Sequence, residues 1–463
     1  MVIIKSICSP LVALPHTQPR MHSHAGAWER GNLSKYLRVV YSLLAAYSLL
    51  LVSPVFAKGP LIEPLTLDYA LLSADGNHPD LQIARADISA SQAQVDLVES
   101  NYGVESYIQG RLRWIDPVAI DPDQSTQDHK IGLIVSKNLY DFGRTNAAES
   151  AAVLSLRSSE DLYVDKLNQH QLQIMTAYFN VLLADLQFIR DNEAMSVAYI
   201  IMDRAQMKNE LGQVSDVDVL KAQSNYQSVR KEYYASRSLQ RSTRAMLANL
   251  INRPGQLSKD LAEPELDSIQ RKIPDFEELE FQALQQNPLL LALRTQIQAA
   301  EKRVESARAG ARPLLNGEVE LADYSRETRS SNNAWKVGVT IDIPLLTGGS
   351  VQAAVAKEQA ELLRAKATLR KEKMRVSQTL LEFWQLLDTL RIEREETSAL
   401  LEYKDLALDE SRALYEMEVK ADLGDSMVQV SNARLKNAEA RYSTALLWAK
   451  IDALQGKSIR GKH

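Results

Sequence analysis

A block that opens Asn77-His78-Pro79-Asp80-Leu81 returns as Gln286-Asn287-Pro288-Leu289-Leu290, so that Pro79 falls on Pro288, 209 positions later. At the same offset Val95 falls on Val304. At an offset of 206, Ile131-Gly132-Leu133-Ile134-Val135 meets Val337-Gly338-Val339-Thr340-Ile341, and the turn Leu139-Tyr140-Asp141-Phe142-Gly143 meets Leu345-Leu346-Thr347-Gly348-Gly349. The small drift places one loop of different length between the matched segments. A period near 200 residues is too long for a solenoid unit, so each copy is a subdomain, here repeat one over 65–260 and repeat two over 275–456.

Between the punctuating glycines lie stretches with no Gly or Pro: from Arg144 to Leu211, Gln213 to Arg253, Ser350 to Leu423 and Asp425 to Gln455. Their alanine-, leucine-, glutamate- and lysine-rich vocabulary is helix-forming. A helix over 146–211 would be roughly 100 Å long, which no compact globule contains. Apolar residues step by sevens along both copies: Leu167, Ile174, Val181, Phe188, Met195 and Met202, then Val355, Leu362, Leu369, Val376, Phe383 and Leu390. That period predicts left-handed supercoiling of neighbouring helices. The companion positions Gln171, Asp185, Asn192 and Gln206 are polar, which points to a wall of helices with one wet face. Each long helix reverses at a short turn, Leu211–Asp216 and Glu418–Gly424, so each copy holds a helical hairpin.

Between the helices the period drops to two, near 104–114, 130–139, 314–324 and 334–344. Val104, Ile108, Leu112 and Trp114 share one face of the first strand, and Glu105, Gln109, Arg111 and Arg113 the other. In the third, Leu315, Val319 and Leu321 oppose Asn316, Glu318 and Glu320; in the fourth, Trp335, Val337, Val339, Ile341 and Ile343 oppose Lys336, Gly338, Thr340 and Asp342. About ten residues is the length a tilted strand needs to cross a bilayer; the alternation alone fits a half-buried soluble sheet equally well, and the export signal at the N-terminus decides for the membrane. An open sheet edge in lipid is prohibitive, and four strands close no barrel of useful bore. Closure therefore requires several chains. Arg111, Arg113, Glu318, Glu320 and Asp342 are the candidate lumen residues.

Residues 1–57 read as a cleaved export signal. Lys35 and Arg38 precede an apolar run from Val39 to Val52, and Val55-Phe56-Ala57 supplies small residues for a signal peptidase. The segment before Lys35 lacks signal character and suggests a start assigned too early. Removing Lys5, Arg20, Arg30, Lys35, Arg38 and Glu29 takes 54 basic and 59 acidic residues to 49 and 58, a net charge of about −9, and removes the single cysteine. An acidic exported chain is a poor nucleic-acid binder, and without disulfides its stability must come from packing or assembly.

These features together resemble the outer-membrane efflux proteins, the TolC-type channels. The likeness runs from about Leu65 to Gly456: the twin helix starts at Asn77-His78-Pro79 and Asn287-Pro288, the run Thr176-Ala177-Tyr178-Phe179, the turn Ile343–Gly349, the reversal Leu211-Gly212-Gln213-Val214-Ser215-Asp216, and Asn437-Ala438-Glu439-Ala440-Arg441-Tyr442. The resemblance implies a mainly α, internally duplicated fold whose long hairpins form an α-barrel, with four strands per chain entering a trimeric 12-stranded β-barrel. It implies a homotrimeric exit duct of a tripartite pump or type I secretion system, embedded in outer-membrane lipid with a periplasmic extension. A periplasmic adaptor and an inner-membrane transporter are the implied partners. By position, Asp218, Tyr415 and Lys420 match the residues that close the duct at its periplasmic aperture, and Asp216, Asp422 and Asp425 stand nearby. Asp216 and Asp422 are placed to cap returning helices, whereas Asp218 and Asp425 are expected to face the lumen. Carboxylates gathered in a narrow neck focus a negative potential that admits cations. Glu418, where the pattern has glycine, and Gly424, where it often has aspartate, depart from it.

The rival reading is a periplasmic coiled-coil adaptor, which would carry one hairpin flanked by β-rich domains rather than two hairpins. An enzyme is not expected, because the sequence has no phosphate loop, no nucleophile elbow and no metal-spaced His or Cys cluster. His78, His129, His170 and His463 are scattered. Neither a cofactor nor a metal is expected.

Overall fold

The computed structural model describes residues 63–73, 77–121, 123–256, 258–326, 333–417 and 422–459, all within the unit Pro60–His463. The leader 1–57, Glu418 and Lys420 lie outside the described residues. In chain order the elements are α1 (Leu67–Leu72), α2 (Pro79–Glu99), β1 (Val104–Arg111), β2 (Lys130–Tyr140), α3 (Arg144–Glu210), α4 (Asp216–Leu250), α5 (Phe276–Gln286), α6 (Pro288–Ala309), β3 (Leu314–Tyr324), β4 (Trp335–Asp342), α7 (Ser350–Glu416) and α8 (Leu423–Leu454). The duplication is explicit in three dimensions: α3 and α7 each contain 67 residues. At that length each is about 100 Å long.

Matching starts use matching devices. Pro79 and Pro288 each sit in the first turn of a helix, where their missing N–H costs nothing. The cap differs between copies: His78 Nδ1 accepts from the Asp80 N–H at 3.3 Å, and Asn287 Oδ1 accepts from the Leu290 N–H at 3.1 Å. The strand-to-helix turns share two consecutive left-handed residues, Phe142 (φ 54°) with Gly143 (φ 92°) and Gly348 (φ 59°) with Gly349 (φ 83°). Glycine adopts that conformation freely; Phe142 does so at a cost of about 1–2 kcal/mol.

The long helices lie side by side as a wall. Near the strands its order is α2, α3, α6, α7; towards the reversals it is α4, α3, α8, α7. Ser158 Oγ donates to the Ala292 carbonyl across α3 and α6, and Arg244 grips Asp185 with two bonds of 2.7 and 2.9 Å across α3 and α4. Every residue of both heptad stripes is buried or half-buried. The polar companion positions are accounted for in part by that Asp185 clamp, which Gln240 joins at 2.8 Å. Tyr233 packs on Phe188 and Tyr226 on Tyr199, both across α3 and α4.

Two apolar clusters form where shorter segments pack on mid-wall. One gathers Leu65, Leu71, Ile174, Tyr178, Phe179, Val181 and Tyr442; the other gathers Leu290, Val376, Leu380, Leu387, Trp448 and Ile451. Phe179 stacks on Tyr442 with centroids 4.8 Å apart and rings 7° from parallel. The Tyr178 hydroxyl lies 2.7 Å from the Leu65 carbonyl and 2.5 Å from that of Ala262, pinning both strand-like connections to α3.

Candidate functional site: the sheet and the hairpin tips

The strands form one antiparallel sheet in the order β1-β2-β3-β4. Its pairing sorts the side chains into two faces. Ile108, Leu133, Leu321 and Trp335 are successive cross-strand partners, and in the next row so are Ser106, Val135, Val319 and Val337. The opposite face carries the row Tyr107, Ile134, Glu320, Lys336 and the row Glu105, Ser136, Glu318, Gly338. On it Glu320 forms an ion pair with Lys130 and lies 3.8 Å from Lys336, which bonds the Tyr324 hydroxyl at 3.1 Å. Arg111 pairs with Lys130, and Asp342 with Leu314, on that same polar face. Charges at mid-bilayer on a lipid-facing surface cost about 2–4 kcal/mol each, so the apolar face is the one lipid can meet. Lys137 and Asp323 do sit on it, at opposite ends of the sheet, where long or terminal side chains can reach the interface.

The first strand is shorter than the alternation predicts. It ends at Arg111, and Leu112 and Arg113 lie outside it, although Trp114 forms an isolated bridge to Gln127. The pairing lapses for two residues and resumes in the same register, with the Asp128 N–H donating to the Arg113 carbonyl at 2.8 Å and the Ile115 N–H to the Thr126 carbonyl at 2.9 Å; the Arg113 N–H is diverted to His129 Nδ1 at 3.2 Å, and its guanidinium pairs with Asp128. Arg113 thus lies just beyond β1, still facing Asp128 across the two connected strands. A bulge between Asn138 and Tyr140 sets Tyr140 opposite Leu315, on the apolar face. Tyr140 and Phe142 then pair, with centroids 4.8 Å apart, at the helix end of the sheet, while Trp114 and Trp335 mark the loop end. Aromatic residues at both margins are what two water–lipid interfaces select.

Two features here escape the sequence reading. At the loop end, Arg326, wholly buried, reaches from the β3–β4 connection to Asp121 Oδ2 at 3.0 Å and Asp123 Oδ2 at 3.4 Å in the β1–β2 connection. Hydrogen bonds from the Ser125 N–H and hydroxyl, with Arg326 adding to them, hold the Asp123 carboxyl below the usual range. At the helix end, buried Asp141 accepts from the Thr145 N–H (2.7 Å), the Thr145 hydroxyl (2.5 Å), the Tyr102 hydroxyl (2.6 Å) and the Gly143 N–H (3.2 Å). An aspartate four residues before a threonine at a helix start was the available signal.

At the first hairpin tip, α3 ends with Gly212 left-handed (φ 68°) and the Gln213 N–H bonded to the Lys208 carbonyl at 2.8 Å, a Schellman closure. Ser215 caps α4, and Asp218 completes a capping box: its carboxylate accepts from the Ser215 N–H at 3.1 Å and from the Ser215 hydroxyl at 2.7 Å. Asp218 was expected to stand away from the cap; it is part of it, because α4 begins at Asp216 and makes Asp218 the third helical residue. Those Ser215 hydrogen bonds hold its carboxyl below the ordinary range, so it stays ionised at neutral pH while exposed. Asp216 instead accepts from Asn209 Nδ2 at 3.0 Å.

At the second tip, Asp422 caps α8 by accepting from the Asp425 N–H at 3.2 Å, while the Asp425 carboxylate is exposed and accepts from Gln429 at 3.3 Å. Tyr415 is exposed on the last turn of α7, and Ser411 bonds Ser426 across the hairpin at 2.7 Å. Gly424 packs against Val197 of α3, where a Cβ would come within 2.9 Å of Cγ2. That contact explains the glycine: an aspartate there would collide with α3. Within one chain the structure brings Asp216 close to Asp218 and Asp422 close to Asp425, but keeps the pairs apart. Val197 lies 14 residues before Leu211, about 20 Å back along α3. Replacing Gly424 by alanine should loosen this contact by about 1–3 kcal/mol. Faster amide exchange in the first turn of α8 would report it, and adding Val197→Ala should restore the wild-type rate.

A two-sided amphipathic sheet continued by a wall of helical hairpins is the architecture of a membrane-channel subunit, with strands suited to lipid on one face and helices suited to water beyond them. The family profile described as "Outer membrane efflux protein" matches residues 71–253 and 281–457, and the chain belongs to that family. Among curated relatives, it is 25% identical over 345 residues to the outer membrane protein TolC of Vibrio cholerae, covering 71% of this chain and 76% of that one. It is 22% identical over 355 residues to the outer membrane efflux protein BepC of Brucella suis, covering 75% of each. Among solved structures, the CmeC outer membrane channel of Campylobacter jejuni superposes with a TM-score of 0.69 at 16% identity, covering 89% of this chain and 92% of that one. The family is one of transport channels in the outer membrane, and its members form trimers that work with adaptors and inner-membrane transporters.

Proposed function

We propose that three copies of this chain close into one exit duct, which passively conducts substrates from a periplasmic transporter–adaptor complex across the outer membrane. The observation that carries this is incompleteness. β1 and β4 each pair on one side only, and the helix wall ends in α7 on one flank and in α2 and α4 on the other. Unpaired strand edges cannot face hydrocarbon, so the β1 edge of one copy must meet the β4 edge of the next. Lipid would meet the Ile108–Trp335 face, and water the face of Arg111, Glu318, Glu320, Lys336 and Asp342.

The adaptor reading loses ground on the same architecture, since two hairpins and a membrane-type sheet leave no place for flanking β-rich domains. An adaptor and an inner-membrane transporter remain the proposed partners, meeting the hairpin tips, where Asp218, Asp425, Asp216, Asp422, Tyr415 and Lys420 form the proposed aperture. The test is fractionation of cells producing the full chain. A trimer recovered from outer membranes only with detergent is expected; a freely soluble monomer would overturn the assembly and with it the duct.

A further inference from the structure

Histidines that are scattered in the sequence are gathered by the fold. His78, the cap of α2, and His170, in the N-terminal half of α3, have ring centroids 4.2 Å apart. Asp80, in the first turn of α2, brings a carboxylate oxygen to 3.6 Å from His78 Nδ1. One donor atom from each of the three residues lies within 4.8 Å of the other two. His170 is 3% exposed, and neither of its ring nitrogens has a hydrogen-bond partner of good geometry, although the Leu250 backbone and the Gln173 side chain stand near. Buried polar groups are almost always satisfied, so an imidazole with no well-formed hydrogen bond among the described residues, beside a second imidazole and a carboxylate, points to a ligand.

We propose that His78, Asp80 and His170 bind a divalent transition-metal cation, with zinc the best match. Two imidazoles and a carboxylate make a borderline-soft donor set suited to zinc, with a fourth position left for water. Adjacent donors in a tetrahedral zinc site stand about 3.3 Å apart, so the 3.6 Å edge needs little change and the other edges close by side-chain rotation. Ligation would replace the long bond from the Asp80 N–H to His78 Nδ1. A cation at the start of α2 is opposed by the helix dipole, and the Asp80 charge offsets this. The site lies at a junction: Asn252, just past α4, donates to the neighbouring Asn77 carbonyl at 2.7 Å. A bound ion would therefore staple α2 to α3 beside the exit of α4. None of these residues belongs to the polar sheet face or the hairpin tips.

The test uses purified, detergent-solubilised protein stripped with a chelator, then titrated with Zn²⁺ and, as a spectroscopic probe, Co²⁺. One ion per chain, visible absorption bands of tetrahedral Co²⁺ and a zinc-dependent rise in thermal transition are expected. His170→Gln should weaken zinc binding by about 100-fold or more, beyond what loss of a supporting residue costs. Asp80→Asn alters an exposed position and should weaken it about tenfold or more with the fold intact. Asp218→Ala with Asp425→Ala should leave the binding unchanged, which separates this site from the tip carboxylates. Zinc that washes out at every stoichiometry, or binds equally well to Asp80→Asn and His170→Gln, would overturn the proposal. The duct reading is judged by fractionation and trimer recovery, and it stands or falls separately.

Discussion

Replacing Asp218 and Asp425 together by alanine is expected to raise single-channel conductance in planar bilayers and to weaken blockade by multivalent cations about tenfold or more. A divalent ion about 6 Å from one carboxylate in water gains about 1.4 kcal/mol, a factor of ten in affinity, and three chains multiply the carboxylates at each of the two levels. Asp218 has a second role that must be separated from its charge, because its carboxylate closes the capping box with Ser215. Alanine removes both. Asparagine retains an acceptor for the Ser215 N–H and removes only the charge, so Asp218→Asn with Asp425→Asn should reproduce the loss of blockade with a smaller rise in conductance. Unchanged blockade in both double variants would take these residues out of the aperture.

Asp141→Ala should produce the largest loss of stability of any single change at the strand-to-helix junction, about 3 kcal/mol. It orphans the Thr145 and Gly143 amides and the Tyr102 hydroxyl at the point where α3 begins. It also leaves the left-handed Phe142 without the network that offsets its strain. The pH dependence has a definite sign. Burial pushes the Asp141 carboxyl up, but the hydrogen bonds from Thr145, Tyr102 and Gly143 outweigh it and hold the group below its ordinary value. A depressed carboxyl contributes stability that is fully present above the unfolded value of about 3.9 and is lost as pH falls through the native one. Tyr102, pushed up to about 12 by burial and by Asp141, remains a donor throughout. Thermal transitions of the detergent-solubilised protein below pH 4 should therefore fall more steeply for wild type than for Asp141→Ala, and equal slopes would refute the assignment.

The large features were legible because each rests on a repeated signal. The heptad stripes, the two-residue alternation of β3 and the twin proline starts each recur, so one copy checks the other. The misses share a different cause: they depend on contacts that sequence spacing does not encode. The ladder of β1 lapses after Arg111, where the Arg113 N–H turns to the His129 ring, and resumes at Trp114. Gly424 is set by Val197, more than 200 residues away. His78 and His170 meet only because α2 folds back along α3. The role of Asp218 is the exception, since Ser215-x-x-Asp218 is a capping-box spacing that could have been read directly.

The equal lengths of α3 and α7 bear on how such a tube can change size. Seven added residues lengthen a helix by about 10.5 Å and return the apolar stripe nearly to the same bearing. An insertion in only one copy would push one reversal ahead of the other and pull Gly424 off Val197. Adapting this protein to a wider or narrower gap between two membranes therefore demands matched insertions or deletions in steps of seven, at positions 206 apart in α3 and α7 and equally in the returning arms α4 and α8.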